Sequence, residues 1–217
     1  LVDNLRYFII NKPYKVLSQY TDEAENKGLG SIFRIPKGIY AVGRLDLDSE
    51  GLLILTNDKK LNSALLNPEN EHKRTYHVEV EGTPSTAALK ALSEGLSITI
   101  DGKPYRTKKA EARVLMDYNF PERSPAVNRI KHPETSWVEV ILTEGKNRQV
   151  RKMTAKVGHP TLRLIRVGIE DLALDPLMPG QIVMISKKVL YKKVEIIRVS
   201  EVWELNLQTI GFYVLCL

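Results

Sequence analysis

Most of this chain is written in short apolar stretches with the two-residue alternation of half-buried strands, and only a few windows carry the longer period of a helix. Arg6 to Ile10 reads as a buried strand that Asn11-Lys12-Pro13 ends, and Ile39 to Val42 as a second strand running into Gly43. Gly51 to Thr56 is apolar throughout, the pattern of a strand covered on both faces. Asn57 or Asp58 can cap a short helix carrying Leu61, Ala64 and Leu65, which Pro68 stops. Thr75 to Val80 alternates, and Ser85 opens a helix with Ala88, Leu89 and Leu92 on one face that Gly95 closes.

Further strands are predicted over Ser97 to Ile100 and Lys108 to Leu115, with Asp101-Gly102 as a turn. From Tyr118 to Ser136 the pattern dissolves into a loop with three prolines, Pro121, Pro125 and Pro133. Trp137 to Thr143 alternates again and leads into a helix over Asn147 to Val157, followed by strands at Leu162 to Val167 and Ile182 to Ile185. The sum is an α+β fold in which strands dominate and helices are short. The tail from Arg198 to Leu217 is apolar but carries Glu201 and Glu204, and reads as an added strand or helix or as a poorly ordered end.

Composition narrows the function classes. The chain has 217 residues, 43% of them hydrophobic and 27% charged, which is the make-up of a globular protein with a sizeable core. One cysteine, Cys216, excludes an intrachain disulfide, and the four scattered histidines have no cysteine near them to build a structural zinc site. No apolar run approaches the ~20 residues that cross a bilayer, and no export signal opens the chain, so a cytoplasmic protein without a membrane role is expected. A net charge of +6 tilts the expected partners toward polyanions.

Two segments carry chemistry. Asp46, Asp48 and Glu50 precede Gly51 in a connection between two apolar strands. As a calcium loop this fails, because Asn57 stands where a bidentate Glu is wanted and the flanks are strands. The acids are then either a solvated turn or, with Arg44 beside them at the core edge, a site where a carboxylate can act as a nucleophile. The second segment, Gly145 to Ile169, holds seven cations (Lys146, Arg148, Arg151, Lys152, Lys156, Arg163, Arg166) and no acid. A solvated helix face normally mixes signs, so this stretch reads as a polyanion-binding stripe. At about 100° per residue, Val150, Met153 and Val157 share a face, Arg151 falls at its margin, and Arg148, Lys152 and Lys156 lie opposite.

Gly43-Arg44-Leu45-Asp46-Leu47-Asp48-Ser49-Glu50-Gly51-Leu52-Leu53 resembles the nucleophile motif of the small-subunit-type branch of the pseudouridine synthases. Ile10-Asn11-Lys12-Pro13, Arg74-Thr75-Tyr76-His77-Val78, Glu144 to Met153 and Gly158-His159-Pro160 resemble its other motifs in family order, over roughly residues 6 to 185; Arg74 replaces the usual lysine. The resemblance implies a pseudouridine synthase catalytic fold: a mixed, mostly antiparallel sheet in two lobes over residues 1–197, with a cleft between the lobes. It implies Asp46 as nucleophile or as the base acting on the ribose, Arg151 as the cation paired with it, and Tyr76 against the target uracil. Arg44 would enter the space left by a flipped base. Lys12, Lys146, Asn147, Arg148, Gln149, Lys152 and Lys156 complete the expected RNA contacts. Arg123, Arg129 and Lys131 of the proline-rich loop are read equally as RNA contacts or as solvated charges. No cofactor, metal or obligate protein partner is implied, and a monomer is expected. The first strand begins by Arg6, so the likeness is to the type that lacks an N-terminal RNA-binding module and modifies large-subunit ribosomal RNA. The same chemistry on small-subunit or transfer RNA, or a non-catalytic RNA-binding assembly factor, stays open.

Overall fold

The computed structural model describes residues 4–118 and 120–196. In chain order these form β1 (Tyr7–Lys12), α1 (Leu29–Ile32), β2 (Tyr40–Ala41), β3 (Glu50–Thr56) and α2 (Lys59–Leu66). Then come β4 (Arg74–Glu81), α3 (Thr86–Glu94), β5 (Ser97–Ile100), β6 (Lys103–Arg106), β7 (Glu111–Leu115) and β8 (Thr135–Leu142). The remainder is α4 (Gln149–Lys156), β9 (Thr161–Ile169), β10 (Leu172–Ala173), β11 (Ile182–Met184) and α5 (Lys187–Lys193). The chain divides into two compact units, one running to His72 and resuming at Ile169, the other Lys73–Gly168. The tail from 198 to 217 lies outside the described residues.

In the first unit, β3 is buried at every position, as its unbroken apolar run requires. It pairs antiparallel with β1, Ile9 opposite Ile54, and at its end with β2, Tyr40 opposite Thr56; β1 pairs in turn with β11. Ile10, Leu53 and Leu55 pack with Val16, Leu29, Phe33, Ile35 and Ile39 into one core. Each fully buried side chain of that size is worth roughly 1.5–3 kcal/mol, so β3 holds its flanking turns firmly. Asp58, rather than Asn57, caps α2, accepting from the backbone N–H of Lys60 (3.0 Å) and Leu61 (3.3 Å). Its other oxygen accepts from Tyr7 Oη (2.7 Å) and Tyr191 Oη (2.6 Å), which ties β1 and α5 to the same cap.

In the second unit, β4 pairs with β8, Tyr76 opposite Val140, and β8 with β7, all antiparallel. Tyr76, Val78 and Val80 point from one face of β4 into a core with Leu92 of α3 and Val150 and Met153 of α4. His77, Glu79 and Glu81 fall on the other face, where the proline-rich segment covers them. Tyr118 stands edge-on to His77 (4.6 Å between ring centres), Arg129 pairs with the buried Glu79, and His132 lies 3.2 Å from Glu81. That segment therefore packs on the sheet, and Arg129 is tied to Glu79 while its side chain stays about half exposed.

Among the differences from the sequence reading, two have a clear local cause. β6 is unexpected there, because Lys-Pro-Tyr-Arg has no apolar alternation. It is made by its turn: Asp101 and Gly102 both take positive φ (48° and 76°), the geometry of a tight two-residue hairpin, which folds Lys103 back opposite Ile100. The strand expected from Lys108 consequently begins only at Glu111. The basic helix starts at Gln149, not Asn147, because Arg148 sits in the left-handed region (φ 53°) and cannot join it.

Candidate active site

The connection from β2 to β3 is built to hold one carboxylate still. Gly43 (φ 71°) and Gly51 (φ 106°) bracket it in conformations that a Cβ would strain, and a Cβ on Gly43 would also come within 3.1 Å of Leu66 Cδ2. Between them, Ser18 grips the backbone of Leu45 from both sides, its Oγ donating to the Leu45 carbonyl (2.7 Å) and accepting the Leu45 N–H (2.9 Å). The Lys15 N–H donates to the carbonyl of Leu47 (2.9 Å), and the Ser49 N–H closes the turn onto the carbonyl of Asp46 (3.0 Å). Asp46 and Asp48 are half-buried, Ser49 and Glu50 buried, and Arg44 exposed. The backbone around Asp46 is thus fixed from three sides while its side chain keeps access to solvent.

Lys12 corrects an expectation. The resemblance places it among the RNA contacts, yet it is fully buried, its Nζ donating to the carbonyls of Val16 (2.6 Å) and Pro13 (2.9 Å). A phosphate cannot reach it there. Burial pulls its pKa down to about 8, against the opposing field of Glu50, Asp48 and Asp46. Lys12 is therefore an internal counter-charge to the acidic turn.

Tyr76 and Arg151 belong to the second unit. Tyr76 is 9% exposed, its ring in the core cluster. It interacts electrostatically with the guanidinium of Arg166, which is itself buried. Burial lowers the Arg166 pKa, nearby Arg74 lowers it further, and the Tyr76 contact works the other way. Arg163 is buried too, its guanidinium over the rings of Phe120 and Trp137 and its Nη1 donating to the carbonyl of Pro121 (2.8 Å). These two arginines leave the expected polyanion stripe: β9 turns them into the protein because their neighbours in the sheet leave buried acceptors and ring faces for them.

The exposed cations of that stripe are fewer and sit on a turn. Lys146, Asn147 and Arg148 are exposed, Arg151 and Lys152 half-buried in the first turn of α4, and Lys156 exposed at its end. Gln149, expected to touch RNA, is instead buried (3%) and structural. Its Oε1 accepts the Lys146 N–H (3.0 Å) and its Nε2 donates to Glu144 Oε1 (2.6 Å). Glu144, also buried, accepts from the Lys108 N–H (2.9 Å) and from Tyr105 Oη as well. This carboxylate is the keystone of the basic turn. It also raises the Tyr105 phenol to about 12, the hydrogen bond contributing most and burial next. The first turn of α4 carries two cations and no acid, against the positive end of the helix dipole, so it is arranged for an anion and not for helix stability.

The sequence reading gives no role to Ser18 or Tyr105, places Arg166 in the polyanion stripe, and includes Glu144 only as the first residue of the basic motif, where it borders the long basic run on one side as Glu170 does on the other. Ser18, Tyr105 and Arg166 act through pairings that depend on the folded register. Among the described residues, no group of three or more His, Cys, Asp or Glu side chains could hold a metal ion.

Residues 6–156 match the protein family described as RNA pseudouridylate synthase. Over 174 residues the chain is 47% identical to the ribosomal large subunit pseudouridine synthase E of Xanthomonas axonopodis pv. citri, covering 79% of this chain and 89% of that protein. The same-named protein of Vibrio vulnificus is 42% identical over 176 residues, 81% of this chain and 73% of its own length. Among solved structures, one described as a pseudouridylate synthase superposes with a TM-score of 0.72 at 26% identity, covering 89% of this chain and 75% of that one.

Proposed function

The chain belongs to the RNA pseudouridylate synthase family and is a pseudouridine synthase, and from that premise we propose that it isomerises one uridine of large-subunit ribosomal RNA. The observation that supports the substrate is its likeness, at above 40% identity, to proteins named for that RNA. In the proposed reaction the bond between the ribose carbon and the ring nitrogen breaks, the uracil turns, and the same ribose carbon bonds to a ring carbon. That ring carbon loses its proton and the released nitrogen gains one, so no atom is gained or lost overall and no co-substrate is consumed; the protein supplies position, charge and a group to act on the ribose.

Asp46 supplies the carboxylate, as nucleophile or as base on the ribose. The turn supports this role because it fixes the aspartate backbone and leaves the side chain accessible. Arg151 is the cation that serves that carboxylate. Tyr76 presents its hydroxyl edge to the base, held by Arg166. Extruding the uridine costs a few kcal/mol, which Arg44 and the exposed cations of the basic turn offset through the vacated stack and the phosphates. The enzyme works as a monomer in the cytoplasm; among the described residues no helix is long and apolar enough to cross a membrane.

Incubating the protein with transcripts of large-subunit, small-subunit and transfer RNA, then mapping pseudouridine by chemical probing, tests the proposal. One modified position in the large-subunit transcript is expected. Modification confined to either other RNA would overturn the substrate.

A further inference from the structure

We infer that the β5–β6 hairpin and the segment after it form a second RNA-backbone contact, an arm of Lys103, Arg106, Lys108 and Lys109 continuous with Lys146 of the basic turn. The inference rests on the reading of the protein as an RNA-modifying enzyme. Its structural grounds lie within the second unit alone.

From Lys103 to Ala110 the chain carries four cations and no acid, and all four cations are exposed. Among the described residues Lys103 and Lys109 have no ion-pair partner, and Arg106 reaches only the backbone carbonyl of Glu94 (3.5 Å). Of the acids bordering the arm, Glu94 lies 3.7 Å from Lys90 and Glu111 lies 3.8 Å from Lys73, while Asp101 stands in the hairpin turn before Lys103. Four like charges in eight residues repel one another, and a polyanion laid along them would offset that repulsion.

Tyr105 makes this arm part of a larger surface. It lies opposite Ile98, on the inward side of the hairpin, and its hydroxyl donates to Glu144, the keystone of the basic turn. Its ring sits under Lys146, with Nζ 5.2 Å from the centre. Arg106 and Pro104 face outward, opposite Ser97 and Thr99. The hairpin is thereby fastened to the Lys146–Arg148 turn, with Lys103 on the Tyr105 side of the strand and Arg106 on the other, so the arm can meet a backbone along its edge and not on a single face. Evenly spread point charges of this kind contact phosphates without reading sequence.

The test compares the wild-type chain with K103A/R106A/K109A and with the charge-preserving K103R/R106K/K109R. Binding is measured against a large-subunit ribosomal RNA transcript and an unrelated RNA stem-loop across a salt series, with isomerisation at saturating transcript measured in parallel. Each phosphate deprived of its cation should lower the salt slope by about 0.7–0.9, so the slope of the alanine variant should fall by about 2–3 on both RNAs. Its turnover at saturation should match wild type, and the charge-preserving variant should bind as wild type does. An unchanged slope and affinity in the alanine variant, or loss of binding in the charge-preserving one, would overturn the arm. If no protein isomerises any uridine and the slope still falls, the arm stands and the enzymatic substrate reading fails.

Discussion

A buried ammonium beside three carboxylates makes Lys12 the residue whose chemistry is most readily measured. Its pKa in the folded protein is about 8, below the usual value near 10.5 because burial disfavours the charge. Between those values the unfolded chain binds a proton that the folded chain has released, so stability rises with pH across that window. The slope is at most about 1.4 kcal/mol per pH unit. Above the ordinary tyrosine range the sign reverses. Burial, then Asp58, raise the phenols of Tyr7 and Tyr191, so the folded state keeps protons the unfolded state loses, and stability falls. Denaturant unfolding of wild type and Lys12→Met from pH 7 to 10 should show the rise only in wild type; a parallel rise in both would remove Lys12 from this role. At this scale the sequence is partly legible. Asp46 stands out because glycines and apolar strands bracket it, but nothing in the residues marks Lys12 as buried and Lys146 as exposed. That distinction comes from where the Asn11-Lys12-Pro13 segment runs, which only pairing with β3 decides.

The basic turn and α4 act as an element because Glu144 accepts three hydrogen bonds from three parts of the chain. Glu144→Gln keeps the shape but places an amide donor against existing donors, and a mismatch of that kind costs roughly 1–3 kcal/mol. Two readouts follow. Thermal stability should drop, and one tyrosine, Tyr105, should titrate well below the value of about 12 that the carboxylate imposes, visible as phenolate absorbance. A phenol that still titrates at about 12 would contradict the network. Legibility differs sharply between elements. β3, β4 and β8 are readable from apolar pattern alone, because burial on one or both faces writes that pattern directly. β6 is not, since its place is set by the Asp101-Gly102 turn and all its residues but Tyr105 face solvent. The start of α4 is displaced by two residues because helical periodicity cannot see the left-handed Arg148.

Over the whole molecule, the α+β class and the family follow from motifs in order, while the division of labour does not. Asp46 lies in one compact unit, and Tyr76 and Arg151 in the other. A pattern read along the chain gives no sign of which cations each unit keeps for itself. Arg163 and Arg166 are interior, so the exposed cations of the second unit are instead Lys146, Arg148 and those of the hairpin, which are the ones proposed to meet RNA. If Arg151 serves the catalytic carboxylate as proposed and does not bind phosphate, Arg151→Ala should abolish turnover and leave RNA affinity within about twofold. Turnover near wild type would remove Arg151 from the catalytic set.

The proposed reaction depends above all on the Asp46 carboxylate, and Asp46→Asn removes its charge while leaving the turn's backbone bonds in place. Single-turnover conversion of uridine in large-subunit ribosomal RNA should fall by about a thousandfold or more, with RNA binding unchanged. Equal product from both proteins would contradict that role.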